Sequence, residues 1–379
     1  MTDDVDDVPW LLTPGPLTIS ATVRAAMLRD WGSRDAAFIA MTARVRERLA
    51  GIAGAADSHC CVPIQGSGTF AIEATLGTLL PRAGKALVLV NGAYGARMAR
   101  ICTVIGRAHD IYETAEDTPP DPVEIGRRLD ADPAISHVIA VQCETTSGIL
   151  NPIEEIADIV AARGRLLIVD AMSAFGALPL PVDPNGPIEA VVASANKCLE
   201  GAPGIGFAIV RNDALAAAAG RAPSLSLDLH DQWRAFEANG QWRFTPPTHV
   251  LAALDQALVE HAEEGGTAGR GARYRRNCAI LVEGLRGLGL ETLLPDDLQA
   301  PIIVTVHSPR DPGFDFARFY DAIARRGYLI YPGKLTRGET FRVGCIGRLG
   351  AAEMTGAVAA IDAALDESGI KDRGRRETP

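Results

Sequence analysis

The stretch LLIVDAMSAFG (Leu166–Gly176) and, after it, AVVASANKCLEGAPGIGF (Ala190–Phe207) decide the fold. Each opens as a short apolar run rich in Val, Ile, Leu or Ala, the pattern of a strand buried on both faces. Each then breaks into polar residues, the first at Asp170 and the second at Ser194-Ala195-Asn196-Lys197. Outward from this pair similar runs recur as ALVLVNG (Ala86–Gly92), HVIAVQ (His137–Gln142) and GFAIV (Gly206–Val210), and helix-spaced stretches occupy Tyr94–Ile105 and Ile153–Arg163. Strands alternating with helices predict an α/β fold whose large domain has a mixed, mostly parallel sheet covered on both faces. From about Ala253 to Leu288 the spacing predicts a long helix pair. PIIVTVHS, GYLIYPG and TFRVGCIG, with helical Phe314–Arg326 and Ala351–Leu365, then predict a smaller C-terminal α+β domain. The expected division is an N-terminal segment over 1–20, a large domain over 21–265 and a small domain over 266–379, with the tail KDRGRRETP frayed.

Bulk properties narrow the function. A chain of 379 residues exceeds what one core organises, and 47% hydrophobic with 22% charged residues describes an ordered protein. The net charge is −10 and no basic run occurs, which excludes nucleic acid and anionic membrane surfaces as expected partners. An anionic substrate would have to be drawn in by local arginines. The cysteines Cys60, Cys61, Cys102, Cys143, Cys198, Cys278 and Cys345 are odd in number and form no CxxC pair. That spacing argues against a metal site or a disulfide framework and fits reduced thiols in the cytoplasm. The acidic start MTDDVDDVPW has no secretory pattern, and no apolar run reaches the roughly 18–20 residues that span a bilayer.

Four motifs sit where chemistry gathers in such sheets, at strand ends. Asp170 ends a buried strand, so it either caps a loop or faces a cationic partner such as a protonated ring nitrogen. Lys197 follows the next apolar run and precedes glycine-rich turns; a desolvated strand end lowers an amine's pKa and makes it nucleophilic. Alone it would be an ordinary loop lysine; paired with Asp170 it reads as a carbonyl-binding amine. QGSGTFAIEATL places Ser67, Gly68 and Thr69 at a helix start, either a simple cap or a phosphate seat. Arg342, in FRVGCIG, alternates with Phe341 and Val343 on an expected strand; a buried guanidinium there needs an anion, from the protein or from a substrate.

Together these residues resemble the fold-type I, class V aminotransferases, over nearly the whole chain from LLTPGPLT (Leu11–Thr18) to FRVGCIG. QGSGTFAIEA, VNGAYGARM, ETTSGILNPI, VDAMSAFG, ASANKC, SLSLDLHDQW, WRFTPPTH and YPGK carry the resemblance. It implies pyridoxal 5'-phosphate as cofactor, with Lys197 as its Schiff-base lysine and proton carrier and Asp170 as partner of the ring nitrogen. Ser67, Gly68 and Thr69 match the phosphate cup, with Ser194 and Asn196 close by, and Tyr94 matches the stacking ring. Thr145 matches the hydroxyl on the ring oxygen, with Thr146 as the alternative. Trp242 and Thr245 match residues reaching the phosphate from a partner subunit, which implies a homodimer with shared sites. Arg342 matches the arginine for the substrate's acidic group, and the turn around Gly15 would cover the substrate. SLSLDLHDQW and WRFTPPTH point to members that take 2-aminoethylphosphonate as amine donor and pyruvate as acceptor. The family pattern has tryptophan where DWGSRDAAF has Arg34, which is expected either to bind substrate or to pair with Asp35. An alanine- or serine-glyoxylate transaminase and a non-catalytic cofactor-binding protein are the alternatives. A cysteine desulfurase would need a loop cysteine, and Cys345 lies in an expected strand.

Overall fold

The computed structural model describes residues 8–180, 182–335 and 338–375. Seven strands make the central sheet: β1 (His59–Gln65), β2 (Lys85–Val90), β3 (Ala108–Glu113), β4 (Ile135–Val141), β5 (Leu166–Asp170), β6 (Ile188–Ser194) and β7 (Ile205–Arg211). Their order is β1-β7-β6-β5-β4-β2-β3. Only β7 is reversed, antiparallel to both β1 and β6, so the other strands all end at one edge of the sheet. The sequence patterns do not mark β1 and β3. β1 contains Pro63 and β3 is the polar AHDIYE. Both are edge strands, where proline and solvent-facing side chains are tolerated.

Side chains alternate across this sheet with the period of two that a strand imposes. Leu87, Leu89, Leu167, Val169, Val191 and Ala193 face one core, shared with the helix Ala36–Ile52. Ala86, Val88, Val90, Ile168, Ala190 and Val192 face the other, shared with α1 (Gly68–Leu79) and α2 (Ala93–Val104). A sheet with an apolar layer on each face cannot present functional side chains from its middle. Polar residues appear where the strands stop.

The helical stretch near 253–288 is two helices, α3 (Thr248–Glu263) and α4 (Gly266–Gly287), broken at Gly265 and Gly266, which adopt φ of 94° and 64°. Leu251, Leu254 and Leu258 of α3 join the first sheet core, whereas Cys278, Leu281 and Leu285 of α4 join a third core. That third core surrounds β8 (Ile303–His307), β9 (Tyr331–Pro332) and β10 (Thr340–Gly344), in the order β8-β10-β9. GYLIYPG does not form one strand: Tyr328–Leu329 pairs with Trp10–Leu11, and Tyr331–Pro332 with β10. The N-terminal segment is thereby stitched to this unit, and the Gly344 amide donates to Leu12 O at 2.8 Å. The tail expected to fray is held over 371–375, with Arg310 N donating to Gly374 O at 2.7 Å and Asp311 N to Asp372 O at 3.0 Å. Residues 376–379 lie outside the described residues.

Candidate active site

The strand ends build a cavity of about 220 Å³. Ser67 stands at the N-cap of α1 but makes no side-chain capping bond, and the first helical amides have no intrahelical acceptor. Gly68 is required by space: a Cβ there would sit 2.2 Å from Met172 Sδ. The neighbouring helix α2 starts against Glu144, whose Oε2 accepts from Tyr94 N at 3.1 Å and Gly95 N at 3.2 Å. Thr146 Oγ1 accepts from Ala93 N at 2.9 Å, so its hydroxyl belongs to this helix start. The Thr145 hydroxyl instead lies in hydrogen-bonding reach of the Tyr94 phenol. Of the two threonines, Thr145 is the one turned toward Tyr94.

Asp170 and Lys197 are two charged groups of this wall, both shifted by burial. Asp170 is buried at the end of β5, accepts from Met172 N at 2.9 Å, and burial pushes its carboxyl up to about 6. Burial likewise lowers the pKa of the Lys197 amine, opposed by Tyr94, Cys198 and Asp170. Its Nζ donates to Pro14 O, in the turn that lies over it. Gly15 in that turn has φ 109°, and a Cβ there would come within 2.7 Å of Lys197 Cδ. Side-chain bulk at Gly15 would therefore collide with the lysine itself.

Ser67, Gly68, Thr69, Tyr94, Asp170, Ser194, Asn196, Lys197 and Gly15 all line the cavity. Arg342 stands behind Tyr94: it is buried, its Nη1 donates to Thr145 O at 2.8 Å and its Nε to Pro332 O at 3.1 Å. None of the ion pairs among the described residues includes it. A buried guanidinium bonded only to carbonyls keeps capacity for an anion.

Trp242, Thr245 and Arg34 stand apart from this chain's own cavity. Trp242 packs edge-on against Phe236 and donates from Nε1 to Thr42 Oγ1 at 3.3 Å, so its one polar hydrogen is engaged inside its own chain. Thr245 is exposed and outside the cavity. Arg34 is exposed, does not line the cavity, and forms no ion pair with Asp35 among the described residues. Arg97, Met98 and Met172 line the cavity without having been marked in the sequence. Arg97 lies three positions after Tyr94 on α2, so helical spacing alone puts them on one face; its Nη1 donates to Thr69 Oγ1 at 3.1 Å. Cys345 is fully buried in the third core, not on a loop facing the cavity.

The sequence pattern of the class-V aminotransferases matches residues 19–321. The chain belongs to that family. A relative from Pseudomonas fluorescens Pf-5 named 2-aminoethylphosphonate–pyruvate transaminase is 55% identical, over 96% of this chain and 98% of its own. One of the same name from Burkholderia lata, distinguished by the number 2, is 54% identical over 96% of each chain. Among solved structures, pyridoxamine-pyruvate aminotransferase from Mesorhizobium loti superposes with a TM-score of 0.88 at 26% identity, covering 97% of this chain and 94% of that one.

The cofactor of this class-V aminotransferase is pyridoxal 5'-phosphate. The donor set fits that molecule. An uncapped helix start with adjacent hydroxyls suits its phosphate, a buried carboxylate suits a cationic ring nitrogen, and a desolvated amine suits its carbonyl. The Tyr94 ring is more crowded than a bare stacking platform. Lys334 Nζ stands 4.2 Å and the Arg97 guanidinium 4.9 Å from its centroid.

Proposed function

We propose that this chain transfers the amino group of 2-aminoethylphosphonate to pyruvate, releasing phosphonoacetaldehyde and L-alanine. What carries this reading is identity of 53–55% over nearly the whole chain with relatives named for that pair of substrates. The uncommitted buried guanidinium of Arg342 beside the cavity supports it.

When bound, pyridoxal 5'-phosphate supplies an electrophilic carbonyl and a ring that withdraws electrons from the amine-bearing carbon. In this reading Lys197 Nζ holds it, and Ser67 with the Gly68 and Thr69 amides receives its phosphate. Asp170, whose charge burial disfavours, would be the partner that holds the ring nitrogen protonated. Lys197 Nζ would also carry the proton from the amine-bearing carbon to the former carbonyl carbon on the other side of the nitrogen. Burial lowers the basicity of this amine and so favours the neutral form that the task needs. The turn carrying Gly15 lies on Lys197 and keeps water from it. Arg342 anchors the phosphonate in one half of the cycle and the pyruvate carboxylate in the other.

The same reading makes the working unit a homodimer. Phe70, Leu225 and Phe244 are exposed apolar side chains near the phosphate-side helix start and the segment bearing Thr245, a surface suited to a second copy. Seven unpaired thiols fit a reducing cytoplasm.

The test adds 2-aminoethylphosphonate to the yellow holoenzyme without any keto acid. Bleaching with release of phosphonoacetaldehyde is expected. An unchanged spectrum, alongside bleaching by alanine or serine, would refute the substrate assignment.

A further inference from the structure

We propose that Lys334 is a second anion-binding cation of the site, one that selects phosphonate over carboxylate. This rests on the substrate reading above. Lys334 closes the YPGK stretch, directly after β9, and β9 pairs with the Arg342 strand in the register Tyr331↔Arg342 and Pro332↔Phe341. Arg342 Nε donates to Pro332 O, which binds its side chain to the same β-pair. One structural unit thus carries both cations to the side of Tyr94. Lys334 Nζ stands 4.2 Å over the Tyr94 ring, and Tyr94 lines the cavity together with Lys197.

The charges converge there without an ion pair, and the buried carboxylate nearby, Glu144, is held by the Tyr94, Gly95 and Thr146 amides. None of the ion pairs among the described residues includes Lys334 or Arg342. Burial would raise the Tyr94 phenol, but the Thr145 hydrogen bond and the nearby charges of Lys197, Lys334 and Arg342 bring it below its usual range. Among the described residues the aromatic face is the contact seen for the ammonium, and it is easily exchanged for an anion.

The two substrates differ in what they ask of such a site. A carboxylate has two oxygens and one charge, which a single guanidinium fork satisfies. A phosphonate has three oxygens and a second acidic proton, and loss of that proton in the site gives it a second charge. The third oxygen and second charge call for another donor, and a compact ammonium on a flexible stem supplies it. Pyruvate gains little from it.

The experiment compares wild type, Lys334→Ala and Lys334→Arg as holoenzymes at equal cofactor content. Each is titrated calorimetrically with ethylphosphonate and with propionate, and assayed for KM toward 2-aminoethylphosphonate and pyruvate. Lys334→Ala is expected to weaken ethylphosphonate and raise the KM for 2-aminoethylphosphonate about tenfold, leaving propionate and pyruvate within about twofold. Lys334→Arg, which keeps the charge, is expected to restore most of the difference. Equal changes for both anions, or no change for either, would overturn the proposal. Wild type that fails to turn over 2-aminoethylphosphonate would overturn the substrate reading instead.

Discussion

Lys197 and Glu200 are three positions apart, and burial disfavours the charge of both, yet their surroundings are opposite. Glu200 Oε1 accepts from Arg273 Nη2 at 2.6 Å and from the Tyr274 hydroxyl at 2.6 Å, with Arg270 at 3.6 Å. Both arginines also reach Glu264. Burial would raise the Glu264 carboxyl, but Arg273 and Arg270 draw it down to about 2. Arg273 Nη1 further donates to Gly347 O and Leu349 O, just beyond the Arg342 strand. This cluster fastens the lysine loop to α4 and to the segment after β10. Around Lys197, Asp170 and Arg342, by contrast, buried charges meet mostly backbone groups. A charge already matched within the fold can only hold it together. A charge left unmatched is kept available for a ligand.

The largest effect should come from removing an unmatched charge. Lys197→Ala is expected to lower transamination roughly 10⁴-fold or more, because both cofactor attachment and proton transfer are lost. Its unfolding midpoint in denaturant should not fall, since the amine removed was one whose charge burial opposed. Retained turnover, or a large loss of stability, would erase the distinction between the two clusters.

The matched cluster should answer in the reverse way. Arg273→Met leaves buried Glu200 and half-buried Glu264 with fewer partners, and breaking a buried ion pair such as that with Glu200 from one side costs about 3–5 kcal/mol. Urea unfolding of the holoenzyme measures this. Adding Glu200→Gln to Arg273→Met should recover part of the loss, because one uncompensated charge goes with it. A double variant no better than the single one would mean that packing, not charge pairing, holds the lysine loop.

The two clusters were also unequally legible in the sequence. Asp170 and Lys197 stand out because each breaks an apolar strand, and a strand end is a local signal. The same logic placed Arg342 on a strand and Gly68 at a helix start. Glu200, Arg270 and Arg273 carry no such signal: they meet only because α4 crosses the loop after β6. Glu144 in ETTSG reads as a loop residue until the end of β4 is brought against the start of α2. Arg97 reaches Tyr94 by helical spacing, a signal present in the sequence, whereas Lys334 comes from a distant part of the chain and only the fold brings it there. The expected roles of Trp242 and Arg34 rest on motif position, and neither residue lines this chain's own cavity.

The smallest of these effects isolates a single unmatched carboxylate. In the cofactor-free protein Asp170 titrates at about 6 rather than at 3.8, because burial penalises its charged form. A raised folded pKa contributes stability that is fully present below pH 3.8 and is lost as pH rises through about 6. A shift of about two units corresponds to roughly 3 kcal/mol. Asp170→Asn cannot ionise, so its stability relative to cofactor-free wild type should climb by about that amount between pH 4 and pH 7. The difference between the two denaturant midpoints, followed across that range, cancels the titration of every other group. With cofactor bound, a cationic ring nitrogen facing Asp170 supplies the missing partner, and the slope of the difference should shrink or reverse. A difference that is flat with pH in the cofactor-free protein would mean that Asp170 is already matched, and would move it from the ligand's cluster to the fold's.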